Sequence, residues 1–374
     1  MHPTSKALVL MEKKKFEIKE YPILDPAEAG ALIKVELAGI CGTDVHVYNG
    51  QVPGKEPYPV ILGHEIVGKI EKLGECLTTD SQGLPIKEGD RVFVAPAIAC
   101  GKCYKCLVSE APTRCQFKKA YGFVKNPDQE PHLTGGFSSY LQMSYTGSLF
   151  LKTDVSPSSA VVLEPFTIAL HALEKASIQI GDVVIVQGSG AIGLLTVLGA
   201  KLTGASKIIS IGAPQGRLDL AKELGADVTI NIEKYGPDER ITIAKEHTPN
   251  GFGADVVLEC AGSPKAVREG LDMLGEGGTF VEVGNFTDNG EVEINPFKHL
   301  IGKNNTVYGV WGAYPKHFIK GLRWIEKIPN VFSDLVTHIV PLERVGEIID
   351  SLANNYHYQG KDIIKAAVRP DSQE

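Results

Sequence analysis

V-V-I-V-Q-G-S-G-A-I-G, residues 183–193, is the stretch from which the rest of the chain can be read. Five residues with the apolar continuity of a buried strand run into a glycine turn. Gly188, Gly190 and Gly193 then give the spacing G-x-G-x-x-G at the mouth of a helix. In such a turn the first glycine permits a tight bend and the second lets backbone approach a pyrophosphate. The third lets helix pack close on strand. The helix start at Ala191 and Ile192 offers free N–H groups and partial positive charge to phosphates. Glycine turns between strand and helix are common, so the context decides. Gly181-Asp182 punctuates the strand in front, and an apolar helix runs on to an end near Gly204. The stretch reads as a dinucleotide site.

Toward the C-terminus, strand-like and helix-like segments alternate. Strands are expected at 183–187, 207–211, 228–230, 255–259, 279–283 and 306–310, and helices at 191–203, 216–224, 239–247 and 264–274. Alternation with short connections predicts a parallel sheet covered on both faces. Six strands with right-handed crossovers make the doubly wound (Rossmann) dinucleotide fold. The second strand of that fold normally ends on an acid that binds the adenosine ribose. Here it runs into Gly212-Ala213-Pro214-Gln215-Gly216-Arg217, with no carboxylate. Backbone contacts at Gly212 favour NAD, while Arg217 suits either the plain ribose or a 2′-phosphate, so NADP stays open. Residues 307–374, with Trp311, Tyr314, Trp324 and a strand-like 363–368, do not extend this fold easily. A return to an N-terminal domain is the economical reading.

Toward the N-terminus the character changes. Residues 31–37, A-L-I-K-V-E-L, alternate with period two as a half-solvated strand does. Pro22, Pro26, Pro53, Pro57, Pro59 and Pro96 leave little room for long helices, so this part reads as β-rich with long functional loops. Within it G-I-C-G-T-D-V-H supplies Cys41, Thr43, Asp44 and His46, and G-H-E supplies His64 and Glu65. Thiolate and imidazole are good zinc ligands, with carboxylates as ligands or their hydrogen-bonding partners. Cys41 alone reads better as a small buried hydrophobe, and His64 alone as a satisfied loop histidine; the pair is more telling, with Gly42 and Gly63 beside them. Cys100, Cys103, Cys106 and Cys115 form C-x2-C-x2-C-x8-C. Such spacing lets a tight loop wrap a tetrahedral ion, and four thiolates leave no open position, so this is expected to be a structural zinc lobe. An iron–sulfur cluster fits less well, because no proline follows the fourth cysteine. The polar stretch 118–137 reads as a surface loop or the rim of a substrate cleft. Glu164 stands in an apolar run just before Pro165, either as a helix-start carboxylate or as a partner for a cation.

Composition limits the function classes. The 374 residues are enough for two domains, placed at 1–160 with 307–374 and at 161–306. With 43% hydrophobic and 22% charged residues the chain is of ordinary globular composition, and its formal charge of −7 gives no basic surface for nucleic acid. That argues against a zinc-ribbon nucleic-acid binder. No run of 18 apolar residues suggests a membrane span, and the N-terminus lacks a secretory pattern, so a cytoplasmic, reducing setting is expected. Seven cysteines in such a setting, four of them crowded together, favour metal over disulfides.

With these pieces in order the chain resembles the zinc-dependent medium-chain alcohol and polyol dehydrogenases over nearly its whole length. The resemblance implies a GroES-like β-rich catalytic domain interrupted by the Rossmann domain, with coenzyme, zinc and substrate in the cleft between them. It makes Cys41, His64 and Glu164 in L-E-P the catalytic zinc ligands, as in the sorbitol dehydrogenase branch. Glu65 is then a residue that approaches the ion when water exchanges. The four cysteines match the structural lobe, with a last gap one residue longer than usual. Thr43 is placed to receive the alcohol proton, with His46 as the outer station of the relay, and Asp44 to fix the His64 tautomer. Hydride exchange between a small-molecule alcohol, secondary or polyol, and NAD or NADP follows, in a homodimer or homotetramer. An aldehyde reductase or dismutase of the same family is the alternative, as is a coenzyme-binding protein without catalysis. The full set Cys41, Thr43, His46, His64 and Glu164 argues against that last reading.

Overall fold

The computed structural model describes residues 3–51, 58–109, 111–123 and 126–371, so Pro53 and Pro57 lie outside the described residues. The chain forms two compact units, Met1–Glu164 with Tyr314–Glu374, and Pro165–Ala313. The joins expected after residues 160 and 306 fall elsewhere for a local reason. Strand Thr306–Gly309 pairs with Leu274–Glu282, which keeps the chain in the second unit beyond 306.

In the first unit a seven-stranded sheet is built around Ala31–Ile40, whose Ile33, Val35, Ala38 and Ile40 are buried. Glu65–Leu73 pairs antiparallel with it along most of its length, and Lys365–Val368 pairs with its last residues. The chain end therefore lies against the strand that leads into Cys41. The strand-like signal at 363–368 condenses to these four residues. Sequence reading expected few helices here, yet Gly42–Tyr48 is helical. The Asp44 carboxylate accepts the Cys41 N–H at 2.8 Å, which satisfies the helix start from its third residue. Cys41-x-x-Asp44 is the capping-box spacing, a signal that could have been found.

The second unit holds six parallel strands in the order Val228–Asn231, Lys207–Gly212, Val183–Gln187, Ala254–Glu259, Leu274–Glu282 and Thr306–Gly309. Every expected strand is present, and the fifth starts earlier than 279. Leu274 already pairs with Ala254 ahead of a register shift, where Gly277 and Gly278 gave no strand signal. Helices Ala191–Lys201, Gln215–Glu223, Pro237–Glu246 and Pro264–Met273 lie where the apolar periodicity put them. Strand order reverses between Val183–Gln187 and Ala254–Glu259, the switch point at which open α/β sheets bind ligands.

Close packing of the first helix on this sheet depends on a missing side chain. A Cβ at Gly193 would stand 1.8 Å from the Gly188 carbonyl oxygen. Gly193→Ala is expected to push helix Ala191–Lys201 off the turn and lower stability by about 1–3 kcal/mol, as overpacking does. A denaturant melt that matches the unsubstituted protein would contradict this packing.

Candidate functional site

Cys41 is the N-cap of helix Gly42–Tyr48, and His64 directly precedes strand Glu65–Leu73. One side chain joins the two places. Asp44 is fully buried; its Oδ2 accepts the Cys41 N–H, and its Oδ1 accepts the Gly63 N–H at 3.4 Å. Gly63 has a φ of +84°, and a Cβ there would strike the Phe137 ring, so glycine is required beside His64. His64 Nδ1 stands 3.7 Å from Asp44 Oδ1, an ion-pair distance longer than a hydrogen bond. Burial opposes a charge on this ring, but the Asp44 carboxylate, with Cys41 beyond it, outweighs burial and holds the imidazole well above its usual range. The ring packs on Phe123 with centroids 4.8 Å apart, which covers one side with an apolar face.

Donor atoms of Cys41, His64 and Glu65 lie within 4.8 Å of one another. Glu164, expected as the third ligand, is not in this compact group; Glu65, expected only as a visitor, is. The reason is placement. Glu65 follows His64 directly and pairs across the sheet with Gly39, whose absent side chain makes room for its carboxylate. Glu164 sits in the first turn of helix Leu163–Ala176. It is still in the same electrostatic neighbourhood: burial pushes it up to about 7 against the attraction of His64, with Glu65 adding to the rise. Sequence reading missed Lys365 altogether. Its buried ammonium lies 2.5 Å from both Glu65 oxygens and donates to the Ile40 carbonyl at 3.0 Å. The signal was a lysine within the apolar D-I-I-K-A-A-V of the last strand.

Thr43 and His46 stand three apart on one short helix, so they share a face. The Thr43 hydroxyl lies 3.8 Å from the Cys41 sulfur, and His46 Nδ1 lies 2.9 Å from Gln51 Oε1.

The four cysteines also converge, with Sγ atoms within 4.8 Å of one another. Cys103 Sγ is 3.5 Å from Cys106 Sγ and 3.8 Å from Cys115 Sγ. Tetrahedral zinc with Zn–S near 2.3 Å requires sulfur separations of about 3.8 Å, so the cage is of the right size. The longer last gap does not keep Cys115 out. The Gln116 N–H draws Cys103 down to about 6, whereas burial, then Cys103, pushes Cys106 up to about 12. A divalent cation suits such a set, because it stabilises all four thiolates together.

In the second unit the glycine turn divides its tasks as its spacing implied. Gly188 has φ +100°, and a Cβ on it would meet the backbone of Cys260 and Ala261 at 2.8 Å. Gly190 is the N-cap of helix Ala191–Lys201, and a Cβ there would meet nothing within 4 Å. That opening lies beside the N–H groups of Ala191, Ile192 and Gly193, which have no acceptor earlier in the helix. Gly212 has a steric requirement of its own: a Cβ on it would strike Ser189 Oγ at 2.4 Å, and Ser189 Oγ bonds Ala213 O and N. Gly212 is thus required by the turn itself. Arg217 is only 6% exposed on helix Gln215–Glu223, so little of it is presented to a ribose or its phosphate.

Comparison with known proteins agrees with this fold. The family model described as alcohol dehydrogenase GroES-like domain matches residues 27–153, and that described as zinc-binding dehydrogenase matches 191–327. The 5-exo-hydroxycamphor dehydrogenase of Pseudomonas putida is 33% identical over 92% of this chain and 95% of its own. A sorbitol dehydrogenase of Halalkalibacterium halodurans is 34% identical over 86% and 88%. The chain belongs to the zinc-dependent medium-chain dehydrogenase family. An alcohol dehydrogenase of Thermotoga maritima has the same fold, with a TM-score of 0.90 and 30% identity over 99% of this chain and 100% of that one. As a member, this dehydrogenase exchanges hydride between an alcohol and a nicotinamide coenzyme. Among its described residues no helix is long and apolar enough to cross a membrane.

In the parallel sheet this dehydrogenase carries a pair of acids, Glu259 buried and Glu282 half-buried. Glu259 and Glu282 end neighbouring strands in register, and Glu259 accepts the N–H groups of Ala261 and Gly262. Burial, reinforced by Glu282, pushes Glu259 up to about 8. A carboxyl raised in this way keeps its proton when folded and loses it when unfolded, so stability falls as pH rises from about 4.5 to 8. Glu259→Gln removes that slope, which is at most about 1.4 kcal/mol per pH unit. Its melting temperature relative to the unsubstituted protein is expected to climb between pH 5 and 8; a constant difference would show that Glu259 is already ionised.

Proposed function

We propose that this dehydrogenase oxidises a secondary alcohol or polyol reversibly at a zinc ion held by Cys41, His64 and Glu65, with NAD as coenzyme. A second zinc, held by Cys100, Cys103, Cys106 and Cys115, braces the first unit. The observation that carries the reading is the convergence of thiolate, imidazole and carboxylate donors in one group. When bound, zinc supplies Lewis acidity and the nicotinamide supplies a hydride acceptor.

The chain's own residues do the remaining work. Asp44 fixes the Cys41 and Gly63 backbones and orients His64, so two donors are set before metal arrives. Thr43 takes the alcohol proton beside Cys41, and His46, on the same helix face, passes it outward. Three protein donors would leave one position on a bound zinc for substrate oxygen, as catalytic zinc sites do. Glu164 is a buried acid in the electrostatic neighbourhood of His64 and Glu65. Sorbitol dehydrogenases and a hydroxycamphor dehydrogenase among the relatives support a secondary or polyhydric alcohol.

Metal analysis and a screen of polyols, cyclic and aliphatic secondary alcohols test this together. Two zinc ions per chain are expected, falling to one in Glu65→Ala. Glu164→Ala is expected to keep both and to lose turnover roughly 10–100-fold. Loss of one zinc in Glu164→Ala with none lost in Glu65→Ala would reverse the ligand assignment.

NAD is favoured because Arg217 is buried and no other cation follows the second strand directly. NADP is the second reading, favoured by the exposed Lys234, whose Nζ lies 3.2 Å from Gln215 Oε1. Turnover measured with each coenzyme is expected to give NAD the higher kcat/KM. A preference for NADP that Lys234→Ala abolishes would establish the other.

A further inference from the structure

Glu65 already has a cation beside it before any metal is bound. Lys365 is 4% exposed and Glu65 fully buried, and the ammonium lies 2.5 Å from both carboxylate oxygens. The pair is built into the sheet. Gly39 separates the two strands that carry Lys365 and Glu65; it is paired with Glu65 on one side and Ala367 on the other. Side chains alternate along a strand, so Lys365 and Ala367 share a face, and the small residues in the row leave room for the ion pair. A Cβ at Gly39 would fall 1.8 Å from Glu65 Oε2. The third Lys365 contact, to the Ile40 carbonyl, reaches the backbone immediately before Cys41. One ammonium therefore touches both segments that present metal donors.

We propose that Lys365 is a positioning residue that competes with the metal for Glu65 and so keeps this carboxylate a weak, displaceable donor. The inference rests on the zinc reading above. A carboxylate shared with an ammonium donates less to a second cation, because its charge is already partly offset. A lysine with only a structural role would have the opposite signature, since losing a supporting partner ordinarily loosens metal.

The test follows zinc release to excess chelator from the zinc-loaded full chain. The release phase that is missing in Cys41→Ser identifies this site. Lys365→Met is expected to slow that phase about tenfold, and the effect is expected to vanish when Glu65→Gln, whose amide oxygen keeps a neutral donor in place of the one Glu65→Ala removes, is also present, as a pairwise coupling must. Faster release in Lys365→Met, or the same change with and without Glu65→Gln, would overturn the proposal. If Lys365→Met alone does not fold, the double variant, which buries neither charge, is compared with Glu65→Gln. Release within twofold is then expected, and a larger difference counts against the proposal. Absence of any Cys41-dependent zinc defeats the zinc reading itself, and the Lys365 proposal with it.

Discussion

A buried carboxylate must find donors, and Asp44 finds them on two separate loops. Its oxygens accept the N–H groups of Cys41 and Gly63, so one fully buried acid joins the backbone beside the thiol to the backbone beside the imidazole. Leaving either oxygen unpaired would cost about 1–3 kcal/mol, more for a charged group. The demand for hydrogen bonds thereby sets the spacing of Cys41 and His64. The same residue starts the helix that carries Thr43 and His46, so those side chains are placed from the same point as the Cys41 thiol.

Charge explains why such a site exists at all. Asp44, Glu65 and the Cys41 thiol crowd together with Glu164 nearby, against His64 and Lys365 as the basic groups beside them. Burial of so many acids is tolerable only with cations among them. The neighbouring acids hold the His64 ring above its usual range against burial, whereas burial first, and then Glu65, pushes Glu164 up toward neutrality. A divalent ion would relieve both. The four-cysteine lobe meets the problem differently, with no open position and thiols unequal in acidity until a cation balances them.

Much of the fold was legible because its signals are local. Glycine spacing, apolar strands and helix punctuation identified the second unit nearly element by element, and the cysteine spacing identified the lobe. The short helix after Cys41 was missed because seven residues hold too few apolar repeats to register. Arg217 looked like a phosphate contact because charge is visible in sequence and burial is not. Gly212 looked like a ribose contact, while its neighbour Ser189, distant in sequence, requires glycine there for the turn.

The sequence by itself determined the chemistry available: two soft donors, several acids, four clustered thiols and a glycine turn at a helix start. These depend on residue type and short spacing, which the chain states directly. Only the tertiary structure decided which acid stands with Cys41 and His64, because that depends on a strand pairing that sets Glu65 against Gly39. It alone revealed Lys365, three hundred positions from Glu65 and yet its closest charged partner. Neighbours across a sheet are fixed by register and by the space that small residues leave, and neither is written within any one segment.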